Sequence, residues 1–275
     1  MYNKLILLFI TIGQILASSS YIEDGIRPKL FEITDNEVPI FRVTIPDEKL
    51  ELLHAALQSE RVDVSEVYEN MDNNENGEYV EVTEFEKIKN ASMVAEINGE
   101  VKEFNKVHFD LGSNTARTYG RQGFNIKIKD KKKDLFGRTQ LRFRTDPREA
   151  TFLRSKLSCD IFNRMGAVSI SAIYAILYVN GKYFGFYILM DAPKISWIEE
   201  VFGEKDTKNL YKCKIGGNFL TEASCAYTCE NEDDEVTDRT KWIDFLKAVD
   251  NAQTTEELEK VFDIDQFIYI TINYL

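Results

Sequence analysis

Apolar positions along this chain change period several times, and each change predicts an element. From Leu5 to Leu16 the run is apolar apart from Thr11, Gly13 and Gln14, with Lys4 ahead of it and Ala17, Ser18, Ser19 and Ser20 behind. A run of about a dozen apolar residues falls short of the ~20 needed to cross a bilayer, and small residues after it suit a cleavable secretory signal. Residues 1–19 are therefore expected to be a signal peptide and 20–40 a polar N-terminal segment. Phe41-Arg42-Val43-Thr44-Ile45 alternates as a strand. Pro46-Asp47-Glu48 then opens a helix with Leu50, Leu52, Leu53, Ala56 and Leu57 as its apolar stripe. In the polar excursion from Gln58 to Glu78, Asp72-Asn73-Asn74-Glu75-Asn76-Gly77 begins like a calcium loop. Its twelfth position is Thr83 where a bidentate Glu is required, so it reads as a solvated loop.

From Tyr79 to Lys129 the period is two: Val80/Val82, Met93–Ile97, Val107–Leu111 and Phe124–Lys129. Asn98-Gly99 between two of these runs predicts a hairpin. Thr139–Arg144 continues the sheet, and a helix is predicted from Pro147 to about Met165, with Phe152, Leu153, Leu157, Ile161 and Phe162 on one face and Gly166 as its stop. A second hairpin, Ile173–Val179 with Tyr183–Met190 around Asn180-Gly181, is apolar on both faces, as expected of a covered, central part of a sheet. The last third reads as helices over Lys194–Phe202, Lys241–Ala248, Thr255–Phe262 and from Asp263 onward, where Asp263 and Gln266 have capping-box spacing. Between them, Gly216–Asp238 is an acidic loop carrying cysteines.

The net charge of −12 argues against a nucleic-acid partner, yet the charge is uneven. Thirteen Lys/Arg lie between Arg117 and Lys156 against Asp130, Asp134, Asp146 and Glu149 alone, a basic island that points to a local anion site. Of the four cysteines, Cys213, Cys225 and Cys229 lie close in sequence, and in an oxidising compartment a bridge among them would staple one loop. Cys159 sits on an apolar helical face and reads as a buried thiol. With histidine only at His54 and His108, no zinc site is expected. Asn90-Ala91-Ser92 is an N-glycosylation acceptor if the chain is secreted.

Four segments carry the chemistry. The first runs from Leu111-Gly112-Ser113-Asn114-Thr115-Ala116-Arg117 into Gly120-Arg121-Gln122-Gly123-Phe124-Asn125-Ile126-Lys127, small residues followed by cations, as in a phosphate cradle. The second is Arg142-Phe143-Arg144-Thr145-Asp146 through Arg154 to Leu157. The third is Leu177–Lys194 with Asn180-Gly181, Gly185, Tyr187 and Asp191, and the fourth is Asn209-Leu210-Tyr211-Lys212-Cys213. In this order and spacing the chain resembles the spore-coat-protein-H (CotH) kinase family, especially its fungal branch, over roughly Phe41–Leu275. Bacterial members carry Glu where this chain has Asp191.

The resemblance implies an α+β, atypical protein-kinase-like fold: an N-terminal lobe of mixed or antiparallel sheet with helices, then a helical C-terminal lobe. It also implies ATP with Mg or Mn, used to phosphorylate Ser/Thr of secreted or coat proteins. Its phosphate-binding candidates are Ser113, Arg117, Arg121, Lys127, Asp146, Arg154 and Asp191, with Asp146 and Asp191 expected to pair with Arg154, Arg144 or Lys127. The family's metal-binding acids lie beyond the last residue of this sequence. Asp263-Ile264-Asp265 imitates them but is explained by helix capping. Residues 41–275 are accordingly expected to form a CotH-like domain incomplete at its C-terminus, without metal ligands of its own. A non-catalytic secreted or cell-surface binding protein is the alternative. The expected location is extracellular or cell-surface, with a secreted or surface protein as partner and no transmembrane segment in the mature chain.

Overall fold

Strands that alternate inward apolar with outward polar residues can close on themselves and leave no free edge, and seven strands do so here. The computed structural model describes residues 27–59, 86–112, 122–131, 133–146, 149–213, 219–233 and 235–272. The barrel strands are β1 (Ile40–Thr44), β2 (Ile88–Ile97), β3 (Glu100–Leu111), β4 (Phe124–Ile128), β5 (Gln140–Arg144), β6 (Ala172–Val179) and β7 (Lys182–Met190). They pair in the order β1-β2-β3-β4-β5-β7-β6, and β6 returns to β1. That closing pair is parallel and every other pair antiparallel.

Both Asn-Gly turns are hairpins, with positive φ at Asn98, Gly99, Asn180 and Gly181, as a two-residue primed turn requires. Each asparagine also ties the turn to a neighbour. Asn180 accepts from Ile45 N at 2.8 Å and donates back to Ile45 O at 2.9 Å, locking the end of β1 against the β6–β7 turn.

The barrel interior is filled from every strand. Phe109 stacks on Phe124 at 5.0 Å, Phe41 meets Phe143 edge-on at 5.2 Å, and Tyr187 touches both Phe124 and Phe143. The segment expected to be polar contains a short helix, α1 (Lys29–Ile33), whose Leu30 and Phe31 are completely buried in this same core. The apolar residues of this stretch, Leu30, Phe31 and Ile33 among them, are too few and too irregularly spaced to predict a five-residue helix. Helix α2 (Asp47–Ser59) starts where predicted and buries Leu53, while Leu52 faces out. The calcium-like loop and the Val80/Val82 run lie outside the described residues.

Helix α3 (Arg154–Arg164) packs on the outer face of β6 and β7, where Cys159, Ala172 and Ile188 form a second core with Phe152, Tyr174 and Met190 around it. The β6–β7 hairpin is thus covered on both faces, as its composition predicts. The helix begins later than Pro147, however. Asp146 and Phe152 hold positive φ, which breaks the helical path. Glu149 turns back to accept from Leu153 N at 2.8 Å and Arg154 N at 3.2 Å, capping the helix there.

After the barrel come α4 (Ile195–Phe202), ended by Gly203 at φ +70°, and a two-stranded ribbon of β8 (Tyr211–Cys213) and β9 (Cys229–Asn231). Helices α5 (Glu222–Cys225), α6 (Thr240–Asn251), α7 (Thr255–Leu258) and α8 (Ile264–Ile272) complete the described chain. α7 is shorter than predicted, and after it Val261 N and Phe262 N both donate to Leu258 O in one further turn. The capping box is half formed: Asp263 accepts from Gln266 N at 2.8 Å. The Gln266 side chain instead spans to Val168, accepting from its N at 3.3 Å and donating to its O at 2.8 Å, and so docks α8 beside α3. Among the described residues no helix is long and apolar enough to cross a membrane. The fold is α+β, a seven-stranded mixed sheet with several helices, compatible with a kinase-like fold.

Candidate functional site

Alternation on β4 and β5 decides which side chains leave the barrel. Phe124, Ile126, Leu141 and Phe143 point inward, so Asn125, Lys127, Arg142 and Arg144 share the outer face. Register lines them up: Asn125 lies beside Arg142, Lys127 beside Gln140, and Arg142 and Arg144 lie opposite Met190 and Ile188 of β7. Ile188 is already under α3, so the two arginines sit at the margin of a packed face and are half-buried.

That burial is costly for a guanidinium unless it is paired. Among the described residues no carboxylate reaches Arg142 or Arg144 at ion-pair distance. Burial, and then the adjacent Arg142, push the Arg144 guanidinium down to about 10, against the pull of Asp146. Burial likewise lowers Arg142, opposed by the attraction of Asp191. Two neighbouring desolvated cations fit an anion with several oxygens.

The acids expected to neutralise these cations are committed elsewhere. Asp191, at the end of β7, is buried and paired with Arg138, with Nε 3.0 Å from Oδ1 and 3.1 Å from Oδ2. Arg138 itself is 1 % exposed and donates from Nη1 to Glu200 at 2.7 Å and to Ser196 O at 3.1 Å, joining the Leu135–Arg138 turn to α4. This overturns the expected pairing of Asp191 with Arg144, Lys127 or Arg154. Burial outweighs the attraction of Arg138 and raises the Asp191 carboxyl to about 6. Asp146 accepts from Ser155 N at 3.4 Å in the first turn of α3, so it too serves a helix terminus. Glu149, held by Thr151 and by backbone N–H groups, lies at about 2.

Arg154 is exposed on the first turn of α3. Lys127 is exposed on β4 across from His108, whose pKa is lowered by burial and then by Lys129, Lys87, Lys106 and Lys127. Gly112 and Gly123 serve the strands rather than a ligand: Gly112 N donates to Gly123 O at 2.7 Å. A Cβ on Gly123 would stand 2.7 Å from Phe143 O. Ser113, Arg117 and Arg121 lie outside the described residues. Asn90 is exposed where β2 carries an extra residue against β3, between the Ile88–Phe109 and Ala91–Val107 pairs. Cys213 is bridged to Cys229, while Cys159 and Cys225 are free and buried.

Arg138 was the residue that sequence reasoning passed over. One arginine among thirteen basic residues carries no periodic signal, and its burial follows only from the turn that places it under α4. The only group of three or more potential metal ligands among the described residues is Cys213, Cys225 and Cys229. Magnesium and manganese prefer oxygen, so this group does not fit them. No curated protein matches the chain. The family description CotH kinase protein matches residues 111–274, more than half of the 275. The matched stretch begins at the end of β3 and takes in the cationic outer face, the Asp191–Arg138 pair and the β8–β9 ribbon, so this chain belongs to the CotH kinase protein family.

Proposed function

We propose that this chain is a secreted CotH-type protein kinase module whose cationic outer face on β4 and β5 holds the phosphates of ATP, for transfer to Ser or Thr of secreted or coat proteins. The observation that carries the reading is the pair Arg142 and Arg144: adjacent, half-buried and without an ion-pair carboxylate among the described residues. ATP would supply the transferable phosphoryl group. The chain's own part is to bind and orient it: Arg142 and Arg144 take phosphate oxygens, and Lys127 adds positive potential at the open end of the strip. Asp191 is used structurally here: it is 1 % exposed and held by Arg138 and Ala192 N, which keeps it from the surface where an incoming hydroxyl would arrive. Passage through a secretory pathway is supported by the apolar leader and by the exposed Asn90 acceptor.

A second reading, a binding protein that holds polyphosphate without turnover, is favoured by one observation. Asp146 and Asp191, the acids flanking the cationic strip in sequence, are engaged by Ser155 N and by Arg138 rather than presented together beside the arginines. Labelled ATP with magnesium or manganese and a Ser-rich peptide separates the two. Transfer lost in Arg144→Ala supports the kinase, and saturable binding without transfer supports the second reading. Neither binding nor transfer overturns both.

A further inference from the structure

Three sulfurs meet in the β8–β9 ribbon, and only two are bonded. Cys213 and Cys229 face each other across the ladder and form the disulfide. Cys225, at the end of α5, is 1 % exposed and free, and its thiol donates to Phe219 O at 3.1 Å. All three Sγ atoms lie within 4.8 Å of one another. A thiol held this close to a disulfide meets the proximity requirement of exchange, one of the factors that set its rate.

We propose that the cluster is a thiol–disulfide exchange site in which Cys225 displaces Cys213 from Cys229, moving the bridge to Cys225–Cys229 and presenting Cys213 as a reactive surface thiol. The step balances within the chain. Cys225 gives up its proton as its contact with Phe219 O opens, its sulfur bonds to Cys229 Sγ, the Cys229–Cys213 bond breaks, and Cys213 leaves with the electron pair and takes up one proton, so that no net proton is consumed. No oxidant or reductant is consumed.

Direction follows from burial. Cys213 is exposed, so its thiolate leaves into water beside Lys212. Attack on Cys213 would instead expel Cys229, which is completely buried against Leu246 and Ala226, where an anion is poorly solvated. Arg239 donates to Cys229 O at 2.7 Å and to Ala226 O at 3.0 Å, fixing the backbone that carries Cys229. The ribbon does not depend on the original bridge alone. Tyr211 of β8 stacks on Trp242 of α6 at 4.5 Å, and Trp242 Nε1 donates to Cys225 O at 3.0 Å. The product is therefore a folded chain with one accessible thiol, a site for mixed-disulfide attachment.

The test is bridge mapping on the native full chain, alkylated with iodoacetamide at mildly alkaline pH, acid-quenched and digested without reductant. The expected result is alkyl label on Cys213 in molecules that carry a Cys225–Cys229 bridge, with that label at least tenfold lower in Cys225→Ser. Cys213→Ser is expected to form the Cys225–Cys229 bridge, which keeps the proposal testable if Cys225→Ser does not fold. Label confined to Cys225, three free thiols in the native chain, or free Cys225 and Cys229 in Cys213→Ser would each overturn it.

Discussion

The Asp191–Arg138 pair makes stability depend on pH in an unusual direction. A carboxyl raised from 3.8 to about 6 binds its proton more tightly in the folded chain than in the unfolded one. Its favourable contribution is complete below about pH 4 and is lost as pH rises through 6, above which the ionised group costs its desolvation. A rise of about two pH units corresponds to about 3 kcal/mol. The perturbations are Asp191→Asn, which removes the titrating group, and Arg138→Met, which leaves Asp191 buried without its partner. Urea unfolding between pH 4.5 and 7.5 is the assay. Glu149, lowered to about 2 in the folded chain, still adds to the slope near the lower end, but equally in wild type and Asp191→Asn, so their difference isolates Asp191. The wild type should lose about 2 kcal/mol of this contribution across the window, mostly below pH 6, and Asp191→Asn should lack that part of the slope. Arg138→Met should cost about 3–5 kcal/mol at pH 7, the range for breaking a buried pair. An unchanged slope in Asp191→Asn, or an Arg138→Met variant within about 1 kcal/mol of wild type, would refute the reasoning.

Three further expectations follow from particular contacts. Gly123→Ala forces a Cβ to within 2.7 Å of Phe143 O, so β4 and β5 must separate, and a loss of about 1–3 kcal/mol in the same unfolding assay is expected. Burial, and then Asp160, hold the Cys159 thiol up to about 11, so native protein at pH 8 should leave Cys159 unalkylated until denatured, as read by mass spectrometry. Expression through a secretory pathway should remove about the first 17–20 residues and glycosylate Asn90. An intact Met1 with unmodified Asn90 in secreted material would contradict that reading.

Elements with a strong local cause were legible before any coordinates. Asn98-Gly99 and Asn180-Gly181 dictate primed turns whatever surrounds them, and alternation over Phe124–Ile128 and Gln140–Arg144 separates core from outer face without knowledge of the partner strands. What escaped depends on tertiary placement. α1 exists because Leu30 and Phe31 plug the barrel core, a fact invisible in a polar stretch. The start of α3 is set by Glu149 reaching back to Leu153 and Arg154, which outweighs the N-terminal preference read into Pro147. Among the site residues, the outward position of Arg142 and Arg144 was implicit in their period of two. Their missing carboxylate was not, because Asp191 looked available until Arg138 was found beneath α4.

The claim at the centre of this account is that Arg142 and Arg144 form an anion site, and calorimetric titration with ATP at several salt concentrations tests it most directly. A pKa lowered to about 10, by burial and then by Arg142, corresponds to about 3 kcal/mol of unfavourable charge on Arg144 in the free protein. Replacing both arginines by Ala should therefore leave the melting temperature unchanged or higher while affinity for ATP falls at least tenfold, and wild-type binding should weaken steeply as salt is added. Wild-type affinity retained in the double variant, or no saturable heat from the wild type at low salt, would contradict the account.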